Sequence, residues 1–165
     1  MKIGLISDTH GFLDDKAMLA LKDVDEIWHA GDIGSLEITD KLKEIAPVRA
    51  VYGNIDNHIV RSEWPEYTVQ DCDGNRFLMI HIANRLGSYN PRVRELISNY
   101  NPDFLICGHS HILKVQFDRR FDLLYINPGA AGQFGFHMVR TLITFEIRDG
   151  IVTDMKAVEL GPRGR

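Results

Sequence analysis

Four apolar runs in this chain end in clusters of Asp, His and Asn, and a fifth run carries a histidine. Met1 to Ser7 leads into Asp8-Thr9-His10, Glu26 to Ala30 into Gly31-Asp32, and Val48 to Tyr52 into Gly53-Asn54. Phe104 to Cys107 leads into Gly108-His109-Ser110-His111, and the run Arg76 to Ile82 carries His81. Short apolar runs closed by polar clusters read as buried strands. Between the first three lie Asp14 to Val24 and Ser35 to Ile45, both with helical spacing of apolar residues, the second with Ser35 as N-cap and Pro47 just beyond. This β-α-β-α-β order favours a parallel core. Asp8 to Asp32 spans 24 residues and Asp32 to Asn54 spans 22, each one compact strand-helix-strand step. The strand ends can then line one edge of a sheet, the place where open α/β sheets bind ligands.

The second half reads differently. Tyr67 to Gln70 and Arg76 to Ile82 flank Asp-Cys-Asp-Gly, a hairpin pattern. Asn90-Pro91 starts a helix, as N-cap and N1 proline, that runs to about Tyr100. Lys114–Phe117 and Leu123–Ile126 read as a strand pair, and Arg140–Ile147 and Ile151–Val158 as a hairpin about Arg-Asp-Gly. The expected fold is α/β: two packed mixed sheets with outer helices, a four-layer α-β-β-α sandwich. At 165 residues it is the size of one domain, expected over 1–160, with 161–165 a short polar tail.

Hydrophobic residues make up 44% and charged residues 25%, which excludes a disordered chain. The net charge of −4 argues against an extended nucleic-acid surface, because phosphate backbones call for a basic face. No apolar run approaches the length of a membrane span, and the opening apolar stretch is too short for a signal-peptide core. Of the two cysteines, Cys107 sits in an apolar run and reads as a buried thiol. These features together place the chain in the cytoplasm as an expectation.

Asp8, His10, Asp32, Asn54, His81, His109 and His111 form a mixed oxygen and imidazole set. Such donors suit Mn, Fe, Ni, Co or Zn rather than Ca or Mg. Seven donors exceed what one ion with an open position takes, and suit two ions sharing a carboxylate. The expected cofactors are therefore two divalent transition-metal ions, manganese first. Glycines at 31, 53 and 108 allow tight turns and close backbone approach. Two carboxylates against two divalent ions leave excess positive charge, so an acidic chain can hold a pocket that attracts phosphate.

The motifs Asp8-Thr9-His10-Gly11, Gly31-Asp32, Gly53-Asn54, His81, Gly108-His109-Ser110-His111 and Asn127-Pro128-Gly129 occur in an order that resembles the calcineurin-like metallophosphoesterases. The resemblance covers about residues 1 to 160 and is nearest the small bacterial and archaeal YfcE-type phosphodiesterases. It implies that Asp8, His10, Asp32 and His111 hold one ion and that Asp32, Asn54, His81 and His109 hold the other, with Asp32 bridging. It implies hydrolysis of a phosphate diester by attack of a hydroxide bridging two ions, with Asp32, Asn54 and His109 as the catalytic residues and a small phosphodiester as substrate. Two rival readings are a phosphomonoesterase and a non-catalytic interaction scaffold on the same fold, as in the retromer subunit Vps29. Many relatives active on monoesters follow Gly-Asn with a histidine that protonates the leaving group, and relatives in general often carry a second histidine two places after the one matching His81. Here those positions are Ile55 and Ala83.

The other histidines have plainer readings. His29 is expected to pack or hydrogen-bond locally, His58 is a loop histidine and the first spare proton donor, and His137 belongs to a surface loop from Gly132 that could also cover the pocket. Asp56 either orients a ligand histidine or caps its turn. Gln133-Phe134-Gly135-Phe136 reads as an exposed apolar contact, such as a homodimer contact, or as a packed loop.

Overall fold

The computed structural model describes residues 1–164. The first half runs β1 (Lys2–Ile6), α1 (Asp15–Ala20), β2 (Glu26–His29), α2 (Leu36–Lys43), β3 (Val48–Ala50) and α3 (His58–Glu63). It continues through β4 (Tyr67–Cys72), β5 (Asn75–Ile80), the two-residue strands β6 (Asn84–Arg85) and β7 (Ser88–Tyr89), and α4 (Pro91–Tyr100). The chain closes with β8 (Phe104–Ile106), β9 (Leu113–Asp118), β10 (Leu123–Pro128), β11 (Val139–Arg148) and β12 (Ile151–Pro162). One five-stranded sheet has the order β12-β11-β1-β2-β3 and the other β4-β5-β8-β10-β9. In the first, β1, β2 and β3 are parallel and β11 and β12 antiparallel; in the second, β5, β8 and β10 are parallel, with β4 and β9 antiparallel at the edges.

Three apolar layers separate four structural layers. Between the sheets, Ile3, Leu5, Trp28, Ile143 and Phe145 of the first meet Phe77, Met79, Ile106 and Ile126 of the second. Trp28 stands edge-on to Phe77 and Phe145, with centroids 5.0 and 5.7 Å apart. On the outer face of the first sheet, Ile6, Ile27 and Leu142 pack on Ala17, Leu21, Ile38 and Leu42 of the α1 and α2 region. On the outer face of the second, Leu78, Ile80, Leu105 and Tyr125 pack on Val93, Leu96 and Ile97 of α4. Alternation along β5 sends Phe77 and Met79 inward and Leu78 and Ile80 outward, as a pleat of period two dictates for a strand buried on both faces. This is the α-β-β-α sandwich expected from the sequence.

Several local boundaries differ. The first helix covers only Asp15–Ala20, with the Asp14 carboxylate accepting from the amide of Ala17 at 3.0 Å. Ser35 precedes α2 in extended conformation, but its hydroxyl makes no capping bond. α3 is a helix where the sequence suggested a loop, and His58 is its first residue; Asn57 caps it, accepting from Ile59 and Val60. The last strand runs through Gly161 and Pro162, which the sequence placed in the tail, and the Arg163 amide bonds to the Met138 carbonyl. Arg165, the last residue of that tail, lies outside the described residues.

Candidate metal centre

The parallel strands deliver the polar clusters to one edge. β1 ends two residues before Asp8, β2 three before Asp32, and β3 four before Asn54; β5 ends just before His81 and β8 three before His109. The backbone then turns sharply. Asp8, His10, Asp32, His109 and His111 all have positive φ, between 47° and 67°. The left-handed region costs a residue with a β-carbon roughly 1–2 kcal/mol, and such strain clusters at functional sites. The two sheets are tied here: the His109 amide donates to the Asp8 carboxylate (3.1 Å to Oδ2), which also accepts from the Ser7 hydroxyl at 2.7 Å.

All seven candidate ligands converge. Two groups of donor atoms, Asp8 with His10 and His111, and Asp32 with His81 and His109, each lie within 4.8 Å of one another. His111 Nε2 is 3.2 Å from Asp8 Oδ1. Asn54 Oδ1 joins the second group, 3.1 Å from His81 Nε2 and 3.0 Å from His109 Nδ1. Asp32 Oδ2 lies between the groups, 3.5 Å from His10 Nε2 and 3.2 Å from His81 Nε2. Its other oxygen accepts from the Ile55 amide at 3.1 Å.

These donors fit metal ions. Ligands at about 2.1 Å from a transition-metal ion stand roughly 3.0–3.4 Å from each other in octahedral or tetrahedral arrangement, close to the separations just given. His10 Nε2 is buried without a hydrogen-bond partner, a condition a cation beside it would relieve. His81 donates from Nδ1 to the Ala30 carbonyl at 2.8 Å, so that in the neutral ring Nε2 is bare toward Asp32 and Asn54. Burial lowers the proton affinity of His10 and His109, keeping both rings available as neutral ligands. For His81 burial acts the same way, but the hydrogen bond to Asp32 and the charges of Asp8 and Asp32 outweigh it and raise its pKa. Asp32 is held below the ordinary carboxylate range; burial opposes this, and the hydrogen bond and charge of His81 prevail.

The neighbouring residues take distinct places. Asp56 accepts from the amides of Gly53, Gly34 and Ile33 at 2.7–3.1 Å, so it fastens the turns carrying Asp32 and Asn54 and orients no ligand histidine. His29 is fully buried, accepts from the Gly31 amide at Nδ1 and bonds through Nε2 to the Thr9 hydroxyl; burial takes its pKa down to about 4. Cys107 is buried and its thiol pushed up to about 12. His58 is exposed at the start of α3. His137 makes a contact the sequence did not suggest: its Nδ1 is 3.3 Å from Nδ1 of His111, and burial keeps its pKa low. Only its place in a Gly- and Phe-rich loop hinted at this. A cleft of about 460 Å³ opens over His10, Asp32, His109 and His111, walled by Ile55, Ile112, Phe134 and Phe136. A second, of about 590 Å³, opens beside Asn54 and His81 toward Arg61 and Arg92.

A two-sheet sandwich with Asp and His gathered at the carboxyl ends of its parallel strands defines a metal-binding α/β protein with an open site. Residues 1–150 match the family model of the calcineurin-like phosphoesterase superfamily domain, and the chain belongs to that superfamily. A protein of Methanothermobacter thermautotrophicus named "Probable metallophosphoesterase" is 35% identical over 141 residues, covering 79% of this chain and 77% of that protein. A phosphodiesterase of Methanocaldococcus jannaschii is 30% identical over 145 residues, covering 78% of this chain and 83% of that one. In fold, the chain is similar to Vps29 of Entamoeba histolytica solved with Zn²⁺, with a TM-score of 0.74 at 19% identity over 98% of this chain and all of that one. Membership of this superfamily makes phosphoester hydrolysis the coarse activity of the chain, with Asp and His groups able to hold metal. No helix among the described residues is long and apolar enough to cross a membrane.

Proposed function

We propose that the chain is a binuclear metal-dependent phosphodiesterase. The observation that carries this reading is the position of Asp32 Oδ2, within 3.5 Å of a histidine from each donor group. One carboxylate oxygen set between two clusters is the arrangement that two ions 3.5–4 Å apart require. Asp8, His10, Asp32 and His111 would hold one ion, and Asp32, Asn54, His81 and His109 the other. Ions bound there supply Lewis acidity, lowering the pKa of water and offsetting charge on the phosphoryl oxygens.

The chain's own residues do the rest. Asn54 contributes a neutral oxygen where a carboxylate would weaken the attraction for an anionic phosphate. The Ile55 amide and Asp56 fix the turns so that Asp32 and Asn54 keep their aim. His109, exposed like Asn54, faces the cleft where the phosphoryl group would enter. Ile55 and Phe134 border that cleft and supply no proton. A diester fits this better than a monoester, since no histidine stands at position 55 to protonate a poor leaving group. The name of the Methanocaldococcus relative agrees with diesters.

The test is metal content and hydrolysis of bis(p-nitrophenyl) phosphate and p-nitrophenyl phosphate, before chelation, after chelation, and after return of Mn²⁺ and other divalent ions. About two ions per chain, with diester turnover that follows them, is the expected result. Full activity in metal-free protein would overturn it. The exposed Phe134, Phe136 and Met138 beside the site, with the Vps29 likeness, favour the scaffold reading as second choice. Metal binding without turnover of any ester would favour it.

A further inference from the structure

His137 occupies the end of the loop that follows Gly132, and its two ring nitrogens are both engaged. Nε2 lies 2.9 Å from the Gly132 carbonyl oxygen. A carbonyl only accepts, so Nε2 carries the hydrogen and, in the neutral ring, Nδ1 is an acceptor. Nδ1 lies 3.3 Å from Nδ1 of His111, with the rings edge to face at 77°. One of two facing nitrogens must supply a hydrogen, and here it has to be His111. His111 then holds its proton on Nδ1 and presents a bare Nε2, which is the atom 3.2 Å from Asp8 Oδ1. The His137 bond holds this form against the repulsion between the Nε2 lone pair and the Asp8 carboxylate, a repulsion that a cation between them would relieve. The relay therefore sets His111 as a ligand in advance.

The same loop braces the rest of the first donor group. A β-carbon on Gly135 would overlap Nδ1 and Cε1 of His111, so only glycine lets the loop lie this close, and its φ is +129°. The ring of Phe134 lies 5.1 Å from that of His10. The second group is served otherwise: the backbone carbonyl of Ala30 orients His81.

We propose that His137 is a positioning residue that fixes the tautomer of His111 and through it the affinity of the site formed by Asp8, His10 and His111, leaving the other site untouched. The inference rests on the metal-centre reading. Outer partners of ligand histidines typically change metal affinity about 10–100-fold when removed.

The experiment uses the full chain as wild type, His137→Asn and His137→Leu. Asparagine keeps an oxygen that accepts near the Nδ1 position, while leucine keeps bulk and no acceptor. Long-range ¹H–¹⁵N NMR of metal-free wild type reads the His111 tautomer directly; the expected result is the Nδ1–H form. Calorimetric titration with Mn²⁺ and Zn²⁺ then reads the two sites. His137→Leu should weaken one site about 10–100-fold and leave the other within about twofold, with His137→Asn close to wild type. A His111 ring protonated on Nε2 in the wild type would overturn the proposal, as would wild-type affinities in His137→Leu. Equal losses in both variants would show loop packing alone and overturn it too. Wild type that binds no ions sinks the metal-centre reading itself, a failure visible without any variant, and the proposal with it.

Discussion

At the scale of single residues, the candidate site depends on how little room surrounds Asp32. The bare α-carbon of Gly53 lies against the Asp32 carboxylate, so a methyl group there would collide with it. Asp32→Ala should lower kcat for bis(p-nitrophenyl) phosphate at least about 10²-fold, near 2.7 kcal/mol of barrier. Gly53→Ala should approach that loss by displacing the same carboxylate. Circular dichroism melts of both variants should stay cooperative. An Asp32→Ala enzyme with more than about a tenth of wild-type rate would end the bridging account. Ile55 gives a second prediction. General acid help contributes about 10²–10⁴-fold, and Ile55 has no proton to give. Across phenols of graded pKa, kcat/KM for aryl diesters should fall steeply as the phenol weakens, and Ile55→His should flatten the line. A flat wild-type series would mean that a donor is already present. The seven candidate ligands were legible because each is a chemically specific residue at the close of an apolar run or within one. The contact of His137 was not, because it joins residues 26 apart through a loop whose path no periodicity records.

At the scale of elements, strands were easier to read than helices. β1, β2 and β8 are short apolar runs, and burial on both faces explains why alternation is absent. α3 escaped because six residues bury only Val60, too few for a helical stripe to show. Gly161 and Pro162 were assigned to a tail because Gly161 to Arg165 holds only glycine, proline and arginine; pairing with β11, which sequence alone does not reveal, holds them. Asn90 links an element to the site. Its side-chain Oδ1 accepts from the Val93 amide to cap α4, and its side-chain Nδ2 donates to the Ile82 carbonyl next to His81. Asn90→Ala should cost about 1–2 kcal/mol in urea unfolding, the usual loss for a cap. A shift under about 0.3 kcal/mol would show that water replaces both bonds.

For the whole molecule, the three apolar layers make the sheets rigid supports and leave the chemistry on the loops between them. The layer count could be read from the alternation of run types. The packing that brings His109 of one sheet onto Asp8 of the other could not, since it joins residues 101 apart. A stability prediction follows from His29, buried beneath that junction. Its pKa falls to about 4 in the folded chain, against about 6.5 when exposed. Above pH 6.5 neither state binds this proton. As pH drops toward 4 the unfolded chain takes it up and the native chain does not, so this residue withdraws stability at up to about 1.4 kcal/mol per pH unit. Urea midpoints of metal-free protein should fall in that window, and the His29 ring resonance should stay that of a neutral imidazole to below pH 5. A His29 ring titrating near 6.5 would refute this.

Five candidate ligands held in left-handed backbone have a consequence for descent. A lineage that stops needing the chemistry gains by discarding them, because glycine sits in that conformation without steric cost. Replacing the partly exposed His109 by Gly, with φ of 67°, should raise the melting temperature of the metal-free chain by roughly 1–4 °C. An unchanged or lower value would remove the effect. If the gain is real, drift from hydrolase to inert partner-binding relative runs downhill in free energy, one ligand at a time, and only selection for turnover keeps the set complete.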